Sequence, residues 1–149
     1  MGVLAYVLFN VEENDENKRL AEALSIDYWE MFAEIKKERK YIEEASAYYR
    51  IPVFTPELVD LSGQEVTLSG YFLPYSKVDS VIIISRYPNA SCFFCGLAGI
   101  ESVAMVELGK TMKQFRTDQR LVVRGNLLLN STDVKKLAFV ISKASVEEL

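Results

Sequence analysis

The residues with the most distinctive chemistry in this sequence are its two cysteines, Cys92 and Cys95. They lie in the run Ser91-Cys92-Phe93-Phe94-Cys95-Gly96. Gly96 and Gly99 allow positive φ and close approach of backbone N–H groups, so we expect both to shape a tight turn. Because two residues separate the cysteines, we expect both sulfurs to lie on one side of the turn. There they could form a disulfide, cycle between dithiol and disulfide, or bind one soft metal ion.

The number of available ligands limits which metal this loop suits. The chain has no histidine, which excludes His-based catalytic triads and two-His zinc sites. A structural zinc site has four ligands, so zinc would need carboxylates such as Glu101 or Glu107, or a second chain. Cu(I) is satisfied by two thiolates. Glu101, which closely follows the cysteines, is predicted to be a third ligand or a polar lock for the loop.

Two other interpretations of the cysteine pair stay open. A redox-active pair needs one thiol with a depressed pKa, usually beside a cation or a helix N-terminus. The nearest cation in the sequence is Arg86. The simplest interpretation is that the cysteines are small, part-buried apolar residues or form a passive disulfide. We expect Phe93 and Phe94 to anchor the loop to the rest of the protein.

The charge of the chain argues against a nucleic-acid or membrane-surface protein. The 149 residues include 17 Lys and Arg and 21 Asp and Glu, which gives a net charge of −4. An acidic chain repels phosphate backbones and anionic lipid surfaces, so a nucleic-acid partner is not expected. The residues that could be tested for oligonucleotide binding are Arg86, Arg116, Arg120 and Arg124.

Alternating apolar residues predict five strands in the second half of the chain. These strands cover residues 65–73, 81–84, 103–108, 121–129 and 137–146. Gly70 and Gly125 interrupt two of them and predict sharp bends or bulges. Five short, curved strands favour a small, mostly antiparallel OB-like barrel over a two-sheet sandwich. The predicted fold class is therefore mainly β with an N-terminal helix (α+β).

The first part of the chain is predicted to be mainly helical and to pack on this barrel. Residues 15–49 are rich in Glu, Lys, Ala and Arg, and Asp27-x-x-Glu30 resembles a capping box for a helix that begins near Tyr28. We interpret residues 1–64 as this helical and aromatic segment and residues 65–149 as the barrel. The charged run Lys36–Lys40 is expected to be solvated. An aromatic cluster is expected to cover one end of the sheet; its members are Tyr41, Tyr48, Tyr49 and Phe54.

The start of the chain carries an apolar run, Val3–Phe9. It is far shorter than the roughly 20 residues that span a bilayer, so no transmembrane segment is predicted. It lacks the basic flank and the cleavage pattern of a secretory signal. A genuine chain start would therefore favour a cytoplasmic location.

Several stretches together resemble an uncharacterised family of small bacterial proteins with an OB-like barrel. The most specific is the Cys-Phe-Phe-Cys-Gly loop, Cys92–Gly96, followed by Glu101-Ser102-Val103; Gly70-Tyr71-Phe72-Leu73-Pro74 resembles the Gly-Tyr-x-x-Pro strand end of that family. Many members are exported to the cell envelope, and a broader related group is similar to accessory proteins of metal transport. The resemblance therefore implies a periplasmic or envelope location and favours a metal. Ile100 stands where the family usually has proline, which leaves the loop less rigid.

These observations lead to one functional hypothesis and two alternatives. We expect a non-enzymatic barrel module that binds a soft metal ion, zinc or copper, through Cys92 and Cys95, or presents their loop to a protein partner. The first alternative is a thiol–disulfide redox protein that uses the same two cysteines. The second is oligonucleotide binding, by analogy with other OB barrels. No catalytic residues are predicted.

Overall fold

The structure, a computed structural model, describes residues 15–88, 99–110 and 114–148. The helices are α1 (15–23), α2 (Tyr28–Ala33) and α3 (Pro56–Leu61), with 3-10 turns at Glu43–Ala45 and Ile100–Ser102. The strands are β1 (Lys36–Ile42), β2 (Ala47–Val53), β3 (Glu65–Leu73), β4 (Val81–Ser85), β5 (Val103–Leu108), β6 (Arg120–Leu129) and β7 (Phe139–Glu148).

Five of these strands form a closed barrel in the order β3-β4-β5-β7-β6, with β6 paired to β3. Every pairing is antiparallel except β5–β7, which is parallel. This arrangement confirms the predicted five-stranded, mostly antiparallel OB-like barrel. Alternate residues of each strand point inward and fill the interior with Val, Leu and Ile side chains.

Helix α2 covers one end of the barrel and belongs to its core. The Asp27 carboxylate accepts a hydrogen bond from the Glu30 N–H at 3.3 Å, so the cap predicted from Asp27-x-x-Glu30 is present and the helix begins at Tyr28. Phe32 is fully buried and stacks on Phe139 of β7, with ring centroids 3.8 Å apart. The Trp29 indole N–H donates to the Ser69 carbonyl of β3 at 2.7 Å. Residues of α2 and of the barrel belong to one core, as expected for a helical segment that packs on the barrel. The division of the chain at residue 64 stays a prediction.

The two glycines inside strands both mark close backbone approaches, and the predicted bulge is found beside Gly125. The register between β6 and β7 shifts opposite Gly125, where β7 contains an extra residue and Lys143 has a φ of +50°. A Cβ on Gly125 would lie 2.6 Å from the Ser142 carbonyl oxygen, so this bulge in β7 requires a glycine beside it. A Cβ on Gly70 would lie 2.9 Å from the carbonyl oxygen of Ser85.

The prediction of helix through residue 49 is wrong from Lys36 onward. Residues 36–53 form an antiparallel hairpin, β1–β2, which is a separate two-stranded sheet. Its turn is closed by Ser46 in the left-handed region, at a φ of 49°. The Lys, Glu and Arg of β1 are good helix formers, but the Tyr, Ile and Val of β2 are strand formers and Pro52 cannot lie inside a helix. Cross-strand pairing therefore outweighs the propensity of β1.

The predicted aromatic cover is also wrong for three of its four rings. Tyr41, Tyr48 and Tyr49 lie on the hairpin and are exposed. Phe54 alone behaves as expected, because it packs edge-on against Phe139, with ring centroids 5.7 Å apart. Within Lys36–Lys40, all five residues are exposed, as predicted for a solvated run.

Candidate functional site

The predicted cysteine loop connects β4 to β5. Cys92, Cys95 and Gly96 lie outside the described residues, whereas Gly99, Glu101 and the strands on either side lie within them. The last ladder pair is Ser85 with Val103, and the Arg86 N–H then donates to the Ser102 carbonyl at 2.8 Å. The loop thus enters and leaves the barrel through a hydrogen-bonded neck.

A compact turn holds the exit side of this neck. Both the backbone N–H and the hydroxyl of Ser102 donate to the Gly99 carbonyl, at 3.0 and 2.6 Å. The Glu101 carboxylate folds back over Gly99 and occupies the space that a Cβ would fill. A side chain at position 99 would have to displace the Glu101 carboxylate, whereas the backbone there is extended, with a φ of −86°, and does not use the positive φ that a glycine allows.

Glu101 connects this turn to the hairpin. Its Oε2 is buried and lies 2.8 Å from the Lys37 ammonium of β1. Burial by itself raises the pKa of Glu101, but the contact with Lys37 and the bond from its own backbone N–H outweigh burial. The pKa of the carboxyl is therefore lowered from its ordinary value of 4.5, and Glu101 is ionised at neutral pH.

The entry side of the neck is held by a second ion pair. The Arg86 guanidinium lies 2.9 Å from the Glu30 carboxylate of α2 and 5.4 Å from the centre of the Tyr87 ring. The Glu30 side chain is 70% exposed, so water screens this pair more than the pair at Glu101. Each side of the neck is thus joined to an element that precedes the barrel in the chain.

The four arginines singled out for oligonucleotide binding do not form one surface. Arg86 and Arg120 line a cleft of about 400 Å³ between the α1–α2 region and β3, where the Arg120 guanidinium lies 5.8 Å from the Tyr71 ring centre. Arg124 bonds to the Thr67 hydroxyl at 3.2 Å and lines a different cleft. Arg116 lines neither cleft. Its backbone N–H donates a hydrogen bond to the Gln119 side-chain oxygen at 3.0 Å.

The sequence reasoning missed a second candidate surface, on the hairpin. Arg39 lies directly opposite Arg50, and Tyr41 lies directly opposite Tyr48, so all four side chains share one face. The signal that could have revealed them is the run Tyr48–Val53, which is rich in strand formers and contains a proline. A strand there needs an antiparallel partner nearby, and residues 36–42 are the preceding segment.

Two further properties of the described residues bear on the expected site. No group of three or more acidic residues or cysteines in residues 15–88, 99–110 and 114–148 is arranged to hold a metal ion. Among the same residues, no helix has the length and apolar character needed to cross a membrane.

The chain was compared with family models, curated proteins and solved structures. No family model matches it, and no curated protein matches it. Among solved structures it is similar to a DUF3299 family protein from Pseudomonas aeruginosa PAO1. The two are 16% identical, with a TM-score of 0.47, and the match covers 66% of this chain and 68% of the other.

Proposed function

We propose that this protein is a non-enzymatic β-barrel module that binds a soft metal ion through Cys92 and Cys95. The observation that carries the proposal is the neck of the loop, where the Arg86 N–H bonds to the Ser102 carbonyl and an ion pair flanks each side. Because both ends of the loop are fixed, fewer residues lose conformational freedom when two thiolates close on one ion. Preorganisation of this kind favours binding of a small ligand.

In this proposal Glu101 is a polar lock, the second of its two predicted roles. Its carboxylate is already paired with the Lys37 ammonium at 2.8 Å, and that positive charge opposes a metal cation at the same oxygen. Without Glu101 the loop offers two thiolates. Two thiolates satisfy Cu(I), whereas zinc needs further ligands, so copper fits the chemistry better than zinc.

The thiol–disulfide alternative receives less support from the same geometry. A reactive thiolate is stabilised by a nearby cation, and Arg86 was the candidate in the sequence. Its guanidinium lies 2.9 Å from the Glu30 carboxylate, which offsets much of its positive charge. We therefore rank metal binding above redox cycling.

The test is a metal titration of the full chain, purified under reducing and anaerobic conditions. We expect two free thiols and about one Cu(I) bound per chain in competition with a chromogenic Cu(I) chelator. Cys92→Ser and Cys95→Ser should each abolish tight binding. Glu101→Gln is the matched control and should leave the stoichiometry unchanged, because the lock holds the loop without contacting the metal.

Other outcomes would replace the proposal. Free thiols that take up neither Cu(I) nor zinc would show that the loop is not a metal site. Thiols that cycle reversibly in a glutathione buffer would establish the redox alternative. If the wild-type protein binds zinc and Glu101→Gln does not, Glu101 is a metal ligand rather than a lock.

A further inference from the structure

One face of the hairpin presents four side chains that binding surfaces use and that contribute little to the fold. The directly opposed pairs are Arg39 with Arg50 and Tyr41 with Tyr48. Tyr41 is 48% exposed and Tyr48 is 61% exposed, and both arginines are exposed. At the base of the same face, Lys37 pairs with Glu101 and Pro52 is buried. The outer half of the face therefore projects from the barrel.

The two opposed arginines carry an electrostatic cost. Like charges directly opposite each other destabilise an antiparallel pair. The Arg39 guanidinium lies 4.4 Å from the Tyr48 ring centre, and Tyr41 packs edge-on against Tyr48 at 5.2 Å, so the rings hold one guanidinium in place. An anion between Arg39 and Arg50 would convert their repulsion into attraction.

We propose that this face binds an acidic polypeptide segment of a partner protein. The hairpin, residues 36–53, carries five Lys and Arg against three Glu and is net positive, whereas the whole chain has a net charge of −4. The residues outside the hairpin carry a net charge of −6, so an acidic segment is attracted to the hairpin more strongly than to the molecule as a whole. The paired guanidiniums match carboxylates, and Tyr and Arg are the residue types that carry most binding energy at protein interfaces.

The same charge distribution disfavours a nucleic acid as the occupant. Affinity for nucleic acid comes from neutralising many phosphates along an extended basic surface. The positive face of the hairpin is short, and among the described residues Arg120 and Arg124 line separate clefts and do not extend it. A polypeptide with a few carboxylates and an apolar side chain for the tyrosine pair matches a surface of this size.

The test is selection from a random peptide library displayed on phage, followed by anisotropy titrations of the enriched peptides. Wild-type protein should enrich peptides with an excess of Asp and Glu. The double variant Arg39→Gln/Arg50→Gln should bind them roughly tenfold more weakly. The matched control is Lys36→Gln/Lys40→Gln, which removes the same charge from the opposite face and should change the affinity by less than about threefold.

Four results would overturn the proposal. The first is a selection without enrichment of acidic peptides, and the second is an equal loss of affinity in both double variants. The third is tighter binding of an oligothymidylate than of any selected peptide. The fourth is a loss of fold stability when the two arginines are replaced. Thermal denaturation tests the last. Arg39→Gln/Arg50→Gln should keep or raise the Tm because it removes opposed like charges, whereas a fall of roughly 4 °C or more would show that the pair stabilises the fold.

Discussion

The barrel and the hairpin use β-strands in opposite ways. Each barrel strand pairs on both sides and turns alternate side chains into a common apolar core. The hairpin consists of two strands that pair with each other alone among the described residues, and most of its side chains are exposed. An isolated two-stranded hairpin is marginally stable in water, so this one depends on its attachment to the barrel.

That attachment lies at the base of the hairpin. Lys37 pairs with Glu101, and Pro52 is buried opposite Lys37 in the β1–β2 register. Ile42 and Ile51 face the turn after β6 across a narrow cleft of about 140 Å³. The barrel therefore supplies the stability of the fold, whereas the hairpin presents exposed side chains to the solvent.

The largest effect should come from truncating the ring that joins α2 to the barrel. Phe32→Ala should lower the free energy of unfolding by about 3–5 kcal/mol, because it empties a fully buried site stacked on Phe139. The control is Tyr48→Ala on the hairpin, which should cost less than about 1 kcal/mol because the ring is exposed. Urea denaturation measures both. Equal losses of unfolding free energy in the two variants would contradict the conclusion that the barrel supplies the stability and the hairpin only displays side chains.

A smaller loss is expected where β7 bulges against β6. Gly125→Ala should destabilise the protein by about 1–3 kcal/mol, because the new Cβ would meet the Ser142 carbonyl and the Ala144 Cα. Gly109→Ala is the matched control, since a Cβ there meets nothing within 4 Å. Thermal melts compare them, and a neutral Gly125→Ala would argue against the bulge.

The link between the two regions should give a pH-dependent effect. The pKa of Glu101 is lowered in the folded protein, so its ionised form contributes stability that is present above about pH 4.5 and is lost as the pH falls through the folded pKa. Glu101→Gln should lower the Tm at pH 7 by roughly 2–4 °C and flatten the decline of Tm below pH 4.5. Melts from pH 7 to 3 test this. An unchanged acid limb in the variant would mean that the Lys37 pair contributes nothing.

The smallest effect is expected at the other side of the loop neck. Arg86→Gln breaks the pair with Glu30, whose side chain is 70% exposed, and should change the free energy of unfolding by less than about 0.5 kcal/mol. The same melts measure it. A loss as large as that of Glu101→Gln would show that both ion pairs hold the loop equally, contrary to their difference in burial.

The barrel could be predicted because its residues alternate with the period of a strand. Val66, Leu68 and Phe72 predict β3 directly, and the strand ends differ from those expected by about two residues at β7. Gly125 predicted an irregularity, but the extra residue lies in β7, since a one-residue register shift depends on the partner strand. The short helix α3 has a Thr55 cap and a proline in its first turn, a signal that was present and overlooked.

The hairpin and the partner of Glu101 could not be predicted in the same way. The composition of β1 is that of an exposed helix, and nothing local contradicts it until Pro52. Glu101 was singled out for its nearness to the cysteines, but its partner Lys37 comes from a segment that the predicted helix would have oriented differently. Contacts between distant segments depend on the tertiary fold, which local patterns do not encode.

The stacking of Phe32 on Phe139 has a consequence for synthesis of the chain on the ribosome. Chains emerge N-terminal end first, so α2 leaves the ribosome long before β7 exists to cover it. The hairpin pairs neighbouring residues but gains its stability only from the barrel, and the barrel can close only when its last strand has been made. During that interval the apolar face of α2 is uncovered in the nascent chain, so aggregation competes with folding until β7 has been made.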